Sequence, residues 1–371
     1  MLFTIDKDSL LNKLKIVEKV TAQRGNVQPV LANVLFEAEN NVLNLSATDL
    51  EISIKAKTTV AVKKEGKITL PAKKLLEIAA KLPDKPVEFS LNEDTNVVNI
   101  TCGNSKFEII GISAMEFPRL EDELIDGTEI EIELETFLKS IKNTVYAAAN
   151  YENRNVISGV FCLIKGNKLE MAATDGNRLT RIIENIKNKD DKSTKIVIPS
   201  KTLNEFVRVC SFISEEKVIL IVDRSRLTLK TMSFAINSRL IEGEYPPYEQ
   251  LIPKSTANNS VISRDDLISA LDRVSTMVND RTSIVKFTFN NNKLVLKAET
   301  PNSGTSEDII DCIYSGDELA IAFNYKYVLD SVKTMDSKNV QVGLNGSLSA
   351  TVFKPESEED YICLIMPIQI R

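Results

Sequence analysis

NNVLNLSATD at residues 40–49 returns as GNKLEMAATD at 166–175 and as NNKLVLKAET at 291–300, where Glu299 and Thr300 stand for the Thr-Asp pair. The spacings are 126 and 125 residues, so the architectural unit is about a third of the 371-residue chain. Two further elements recur in the same order. ITLPAKKLLE (68–77) returns as IVIPSKTLNE (196–205) and, more weakly, as IAFNYKYVLD (321–330). FEIIGISAMEFPRL (107–120) returns as FAINSRLIEGEYPPYEQL (234–251) and, degenerate, as YICLIMPI (361–368).

Each third reads as one mixed unit. It opens with an amphipathic helix such as Asp8–Lys19, where Leu10, Leu11, Leu14 and Val17 recur at helical steps and Ser9 or Asp8 suits the N-cap. Alternating strands follow, as in VLFEAENNVLNLSA (34–47), with Asn40-Asn41 as a hairpin turn. A second helix starts behind Pro71 or Pro199, and Leu75, Leu76, Ala79 and Leu82 form its apolar stripe in the first repeat. The expected fold class is α+β: three repeated domains, each with two helices and antiparallel sheet. Proline pairs and acid clusters at 117–127 and 245–253 put the boundaries near 127 and 253, giving domains 1–127, 128–252 and 253–371.

Composition narrows the function. Apolar residues at 43% and charged residues at 26% are ordinary globular values, and no apolar run approaches the roughly 18 residues needed to span a bilayer, so no membrane role is expected. The start, MLFTIDKDSLLNKLK, lacks a cationic region followed by an apolar one, which predicts a cytoplasmic protein. Cys102, Cys162, Cys210, Cys312 and Cys363 are odd in number and far apart, so neither a disulfide framework nor a zinc site is expected. There is no histidine, which excludes Ser-His-Asp and Cys-His catalysis and histidine metal ligation. We expect no catalytic residues, no metal and no cofactor.

The formal charge of −6 hides a division. The helix segments 7–24, 72–81, 136–154, 200–208, 264–281 and 325–333 carry 18 basic and 10 acidic residues, a balance of +8 that leaves −14 on the rest. Helices lining one surface would make a cationic stripe suited to a phosphate backbone, although solvated helix faces commonly carry lysine anyway. Nothing encodes base readout, so contact with nucleic acid should be independent of sequence.

The threefold repeat, VEKVTAQR (17–24), LPAKKLLEI (70–78), AMEFPRL (114–120), ATDGNRL (173–179), EYPPYEQLIP (244–253) and LIMPIQI (364–370) together resemble one family over the whole chain, the bacterial sliding clamps. The resemblance implies three DNA-clamp domains forming half of a ring, two copies joined head to tail as a homodimer around duplex DNA, and no catalysis. It implies partners that dock by short linear motifs: the replicative DNA polymerase, the clamp loader, and mismatch-repair and translesion proteins at the replication fork.

By the same resemblance a motif pocket lies between the second and third domains. Its residues are Ile157, Thr174, Gly176, Asn177, Arg178, Leu179, Pro246, Gln250, Leu251, Leu364, Met366, Pro367 and Ile368. Aliphatic and methionine side chains would make an adaptable socket for a Leu-Phe anchor, with Thr174 and Arg178 orienting the peptide. Asn177 stands where many members carry histidine, and Gln250 and Gln369 where some carry arginine. DNA contacts map to Arg24, Tyr151, Arg154, Lys201 and Arg281, and the subunit interface to Lys74, Ile78, Phe107, Ile109, Thr276 and Met277.

Simpler readings stand beside these. ATDGNRL is also a plain Asp-Gly hairpin, LIMPIQI an edge strand or tail, and Phe107 with Ile109 ordinary sheet core. An enzyme would have to rest on Asp175 as a nucleophile or on Ser-x-x-Lys in SEEK (214–217), and no P-loop is present. A repeat scaffold that binds peptides without DNA is the remaining alternative.

Overall fold

The computed structural model describes residues 1–22, 28–120, 127–150, 155–188, 193–279 and 282–369. Among the described residues six α-helices alternate with antiparallel strands: α1 Lys7–Glu18, α2 Ala72–Lys81, α3 Leu134–Lys142, α4 Ser200–Cys210, α5 Arg264–Val274 and α6 Tyr325–Thr334. The thrice-repeated decapeptide becomes the strands Val42–Thr48, Lys168–Thr174 and Lys293–Thr300. Their alternate residues Leu43, Leu45 and Ala47, then Leu169, Met171 and Ala173, then Leu294, Leu296 and Ala298, are buried, the period of two that a half-buried strand requires. Asn40 and Asn41 take φ of 49° and 60°, and Asn291 and Asn292 repeat them at 47° and 60°, the left-handed pair of a type I′ hairpin.

The first helix differs in detail from its sequence reading. Asp6 is the N-cap, its carboxylate accepting from Ser9 N at 2.9 Å, because Asp8 and Ser9 already lie in the first turn. Leu11 is half-buried and Ile16 is buried with Leu10, Leu14 and Val17. α1 packs against α2 and against the strands Val42–Thr48 and Ile52–Thr59, so its buried arc turns toward Ile16. In α2 the expected stripe holds, with Leu75, Ala79 and Leu82 buried and Leu76 half-buried.

The chain packs as two compact units, Met1–Phe137 with Lys201–Leu240, and Leu138–Ser200 with Ile241–Arg371. The first unit holds a five-stranded sheet, Ala61–Lys64, Leu2–Ile5, Val87–Asn92, Val97–Cys102 and Ser105–Ile110, and an eight-stranded sheet. The second holds one twelve-stranded sheet. Both large sheets run through strands of two repeats by the same device. In the first unit Phe234–Arg239, the last strand of the second repeat, pairs with Ile52–Thr59 of the first, Ile236 opposite Ile54. In the second unit Tyr361–Ile365, the last strand of the third repeat, pairs with Arg178–Asn185 of the second, Cys363 opposite Thr180.

Among the described residues, two strands of the kinds joined by this device lack that partner. Ser105–Ile110, the last strand of the first repeat, is the outer strand of its sheet. In Gly304–Ser315, residues 304–311 pair only with Lys293–Thr300 among the described residues.

Candidate motif-binding site

ATDGNRL forms the hairpin joining Lys168–Thr174 to Arg178–Asn185, with Thr174 opposite Leu179. Thr174 Oγ1 donates to Arg178 O at 2.6 Å and accepts from Gly176 N at 3.1 Å. Asp175 Oδ1 accepts from Asn177 N and Arg178 N at 2.9 and 3.1 Å. Gly176 sits at φ +90°, in the left-handed region that favours glycine.

The C-terminal segment docks on this turn. Met366 N donates to Asn177 O at 2.9 Å, and Leu364 lies opposite Leu179. Beneath them Phe161, Leu179, Tyr245, Tyr248, Val352 and Leu364 form an apolar floor, with Ile157 half-buried against it. At the rim Leu251 is 61% and Met366 47% exposed, Pro246, Gln250 and Gly176 are exposed, and Pro367 and Ile368 are half-buried. Exposed Leu and Met beside a buried apolar floor are the surface that a socket for an apolar side chain would need. From YPPYEQL the sequence points to Pro246, Gln250 and Leu251 and not to the tyrosines. These are the residues that face inward, with ring centroids 5.4 and 5.6 Å from Phe161 and Tyr248 Oη donating to Glu170 Oε1 at 2.8 Å. Aromatics three apart around a proline pair were the available signal.

Arg178 serves the turn itself. Its Nε donates to Asp175 Oδ2 at 3.0 Å, Nη1 to Asp330 Oδ2 at 2.7 Å and Nη2 to Tyr146 O at 2.6 Å. Its side chain is 11% exposed and lies between the rings of Tyr146 and Tyr327. The guanidinium therefore ties the turn to the middle of the third repeat's second helix.

Of the residues assigned to DNA, Arg24, Tyr151, Arg154 and Arg281 lie outside the described residues. Lys201, at the start of α4, bridges Asp49 and Glu51 at 2.5 and 2.6 Å. Burial alone would lower its affinity for a proton, but the two carboxylates outweigh it and hold the ammonium above the ordinary lysine value. Of the interface residues, Lys74 pairs with Glu77 at 2.8 Å, Ile78 and Phe107 are half-buried, and Ile109 is buried. Ile110 beside it is 75% exposed. Thr276 is exposed and donates to Arg273 O at 2.8 Å, and Met277 is half-buried.

The groups an enzyme would need are otherwise engaged. Asp175 caps its turn, and Lys217 of SEEK pairs with Glu131 at 2.6 Å. All five cysteines are free and buried, and burial pushes the Cys162 and Cys210 thiols up to about 12. Among the described residues no group of three acidic or cysteine side chains is arranged to hold a metal, and no helix is long and apolar enough to cross a membrane.

Three repeats of two helices and antiparallel sheet, fused edge to edge, define a DNA clamp. Family models for the DNA polymerase III β subunit match the chain throughout, the N-terminal domain over residues 1–121, the central domain over 131–247 and the C-terminal domain over 249–369. The chain belongs to the bacterial β sliding clamps, the non-catalytic β subunits of DNA polymerase III that act in DNA replication. It is 31% identical over 386 residues to the β sliding clamp of Synechocystis, covering 98% of each chain. It is 28% identical to that of Vibrio cholerae over the full length of both. Among solved structures, the β subunit of Thermotoga maritima superposes with a TM-score of 0.92 at 27% identity, and the Pseudomonas aeruginosa clamp bound to griselimycin with 0.91 at 26%, each covering both chains completely.

Proposed function

We propose that this chain closes head to tail with a second copy into a ring around duplex DNA, and that the socket at the ATDGNRL turn tethers the replicative polymerase and other motif-bearing proteins. One observation carries the reading. Inside the chain, the last strand of each following repeat pairs with the hairpin strand of the repeat before it, twice over. The same rule leaves Ser105–Ile110 of one copy for residues 304–311 of another. Such a contact joins two different surfaces, so it closes into a ring or runs on as a filament. Two copies supply the six repeats of a homodimeric ring.

Aligning the three repeats on their paired residues also supports one register. Ile236 and Cys363 correspond to Phe107, and Ile54 and Thr180 to Ser306, so Phe107 should face Ser306 and Lys106 should face Glu307. Opposite charges then meet across the join. The cationic helix segments, with Arg24, Tyr151, Arg154, Lys201 and Arg281, are the proposed DNA-facing groups, and contact is to phosphates. For Lys201 that means exchanging Asp49 and Glu51 for a phosphate. The clamp loader, mismatch-repair and translesion proteins share the socket, in the cytoplasm at the fork.

The test loads the protein onto nicked circular plasmid with a bacterial clamp loader, cuts the circle once, and follows co-elution with DNA. Release on cutting is expected of a topological link. Retention after cutting with a steep salt dependence would instead mean direct phosphate binding. Failure to load while motif peptides still bind would leave a scaffold that does not use DNA.

A further inference from the structure

Three equivalent rows of side chains occupy one face of the three repeats. Leu35 lies between Thr69 and Ser46 on the flanking strands, Phe161 between Val197 and Ala172, and Lys286 between Ala322 and Lys297. After its last strand each repeat folds back to the same point. Ile112 N donates to Thr69 O at 3.1 Å, Ile241 N to Val197 O at 3.0 Å and Ile368 N to Ala322 O at 2.8 Å. In the first repeat the residues that follow lay Phe117 in the cluster with Leu35. In the second they stack Tyr245 and Tyr248 on Phe161.

In the third repeat no described residue takes that seat. A cavity of about 900 Å³ stands there instead, bordered by Lys286, Lys297, Ala320, Ala322, Leu348 and Ile368. We propose that this cavity is a docking site for a partner segment of the chemistry that covers the other two rows, an aromatic residue followed by proline and flanked by carboxylates. The two internal occupants have that composition, Glu116-Phe117-Pro118 and Glu244-Tyr245-Pro246-Pro247-Tyr248-Glu249.

The floor has changed in the direction such a segment needs. Leu35 and Phe161 are replaced by Lys286, and Ser46 and Ala172 by Lys297, both exposed. Lysine stems present apolar surface to a ring while their ammonium groups reach its face or a neighbouring carboxylate. The second repeat already holds one such contact, Lys195 Nζ lying 5.5 Å from the Phe161 ring centroid. Glu299 borders the cavity near the hairpin tip, so the carboxylates of the guest belong at the Lys286 side. The site is separate from the socket at the ATDGNRL turn except for Ile368, which borders both.

The test uses the full chain and a fluorescein-labelled peptide, EGEYPPYEQL, copied from residues 242–251. Fluorescence anisotropy at low salt should saturate with a Kd tighter than about 1 mM. Lys286→Glu with Lys297→Glu should weaken binding at least about tenfold, a peptide with both tyrosines replaced by alanine should not bind, and saturating the socket with a motif peptide should leave the affinity unchanged. Ala320→Trp, which fills the cavity without touching a charge, should block binding even if the double reversal disturbs folding. Absence of saturation, indifference to the lysine reversals, or competition by the motif peptide would each overturn the proposal. A change of oligomeric state in the lysine variants would overturn it too, by giving the cavity to a second copy of the chain.

Discussion

Arg178 and Asp330 are joined by a hydrogen bond of 2.7 Å although 152 residues separate them. The bond runs from the hairpin of the second repeat to the second helix of the third, and the same guanidinium holds Asp175 and the Tyr146 carbonyl. Arg178→Ala should cost about 2–4 kcal/mol, because it leaves a half-buried carboxylate and a carbonyl without their donor. Asp330→Asn, at a side chain 45% exposed, should cost less than about 1 kcal/mol. Urea unfolding measures both, and motif-peptide affinity should follow the same order. Equal losses for the two variants would show that Asp330, not Asp175 and Tyr146, positions the turn.

Thr48 and Asp49 build the turn of Thr174 and Asp175 bond for bond. Thr48 Oγ1 donates to Ile52 O at 2.8 Å and accepts from Leu50 N at 3.0 Å, and Asp49 Oδ1 accepts from Glu51 N and Ile52 N at 3.0 and 2.9 Å. Leu50 occupies the position of Gly176 at φ +77°, a region costly for a branched side chain. Leu50→Gly should therefore leave stability unchanged or raise it by up to about 1 kcal/mol, against the usual loss for glycine. Gly176→Leu should lose about 1–2 kcal/mol. Thermal melts of the two variants check the pair of signs.

Lys201 makes the join near Asp49 sensitive to alkali. Its folded proton affinity is raised, so the stabilisation it contributes is fully present below the ordinary lysine value and is lost as the pH rises through the folded value. Unfolding followed between pH 8 and pH 11 should show a steeper alkaline decline for the native chain than for Lys201→Met. Parallel curves would count against the bridge to Asp49 and Glu51. With a side chain 35% exposed the difference should stay at about 1 kcal/mol.

The register proposed between copies is open to a covalent test. Lys106→Cys with Glu307→Cys should yield a disulfide-linked species on a non-reducing gel, since residues directly opposite on antiparallel strands come within bridging distance. The five native cysteines are buried and should not compete. Lys106→Cys with Thr305→Cys, two residues out of step, should cross-link poorly. The reverse preference would refute the register.

Removal of residues 366–371 should abolish motif-peptide binding while leaving the melting temperature within a few degrees of native. Met366 supplies one exposed wall and the segment makes two backbone bonds, Met366 N to Asn177 O and Ile368 N to Ala322 O, whereas the strand Tyr361–Ile365 stays paired on both sides. Normal peptide affinity after the deletion would remove the segment from the site.

The threefold plan was legible because it is written in backbone-level features: alternation in the decapeptides, paired asparagines at two hairpin turns, and proline before two of the second helices. The turn at the proposed socket was legible for the same reason, since Thr174, Gly176 and Leu179 are the turn and its flanks. What single-chain pattern does not carry is long-range pairing. The engagement of Arg178 by Asp330 and the inward turn of Tyr245 and Tyr248 each depend on which strand or helix lies across from them. Leu11 is only half-buried and Ile16 is buried because α1 packs on a helix as well as on two strands.

The pairing that recurs at Ile236 with Ile54 and at Cys363 with Thr180 is held in both places by a continuous polypeptide, which keeps the partners at an effective concentration on the order of millimolar. The proposed pairing of Phe107 with Ser306 between copies would have no such tether. Strength of contact need not differ among the three for one of them to be the gate: rupture inside the chain is undone at once by its own leash, while rupture between copies lasts as long as the freed ends take to meet again. If two chains close into the proposed ring, the place where it opens would be decided by connectivity before any side chain is considered.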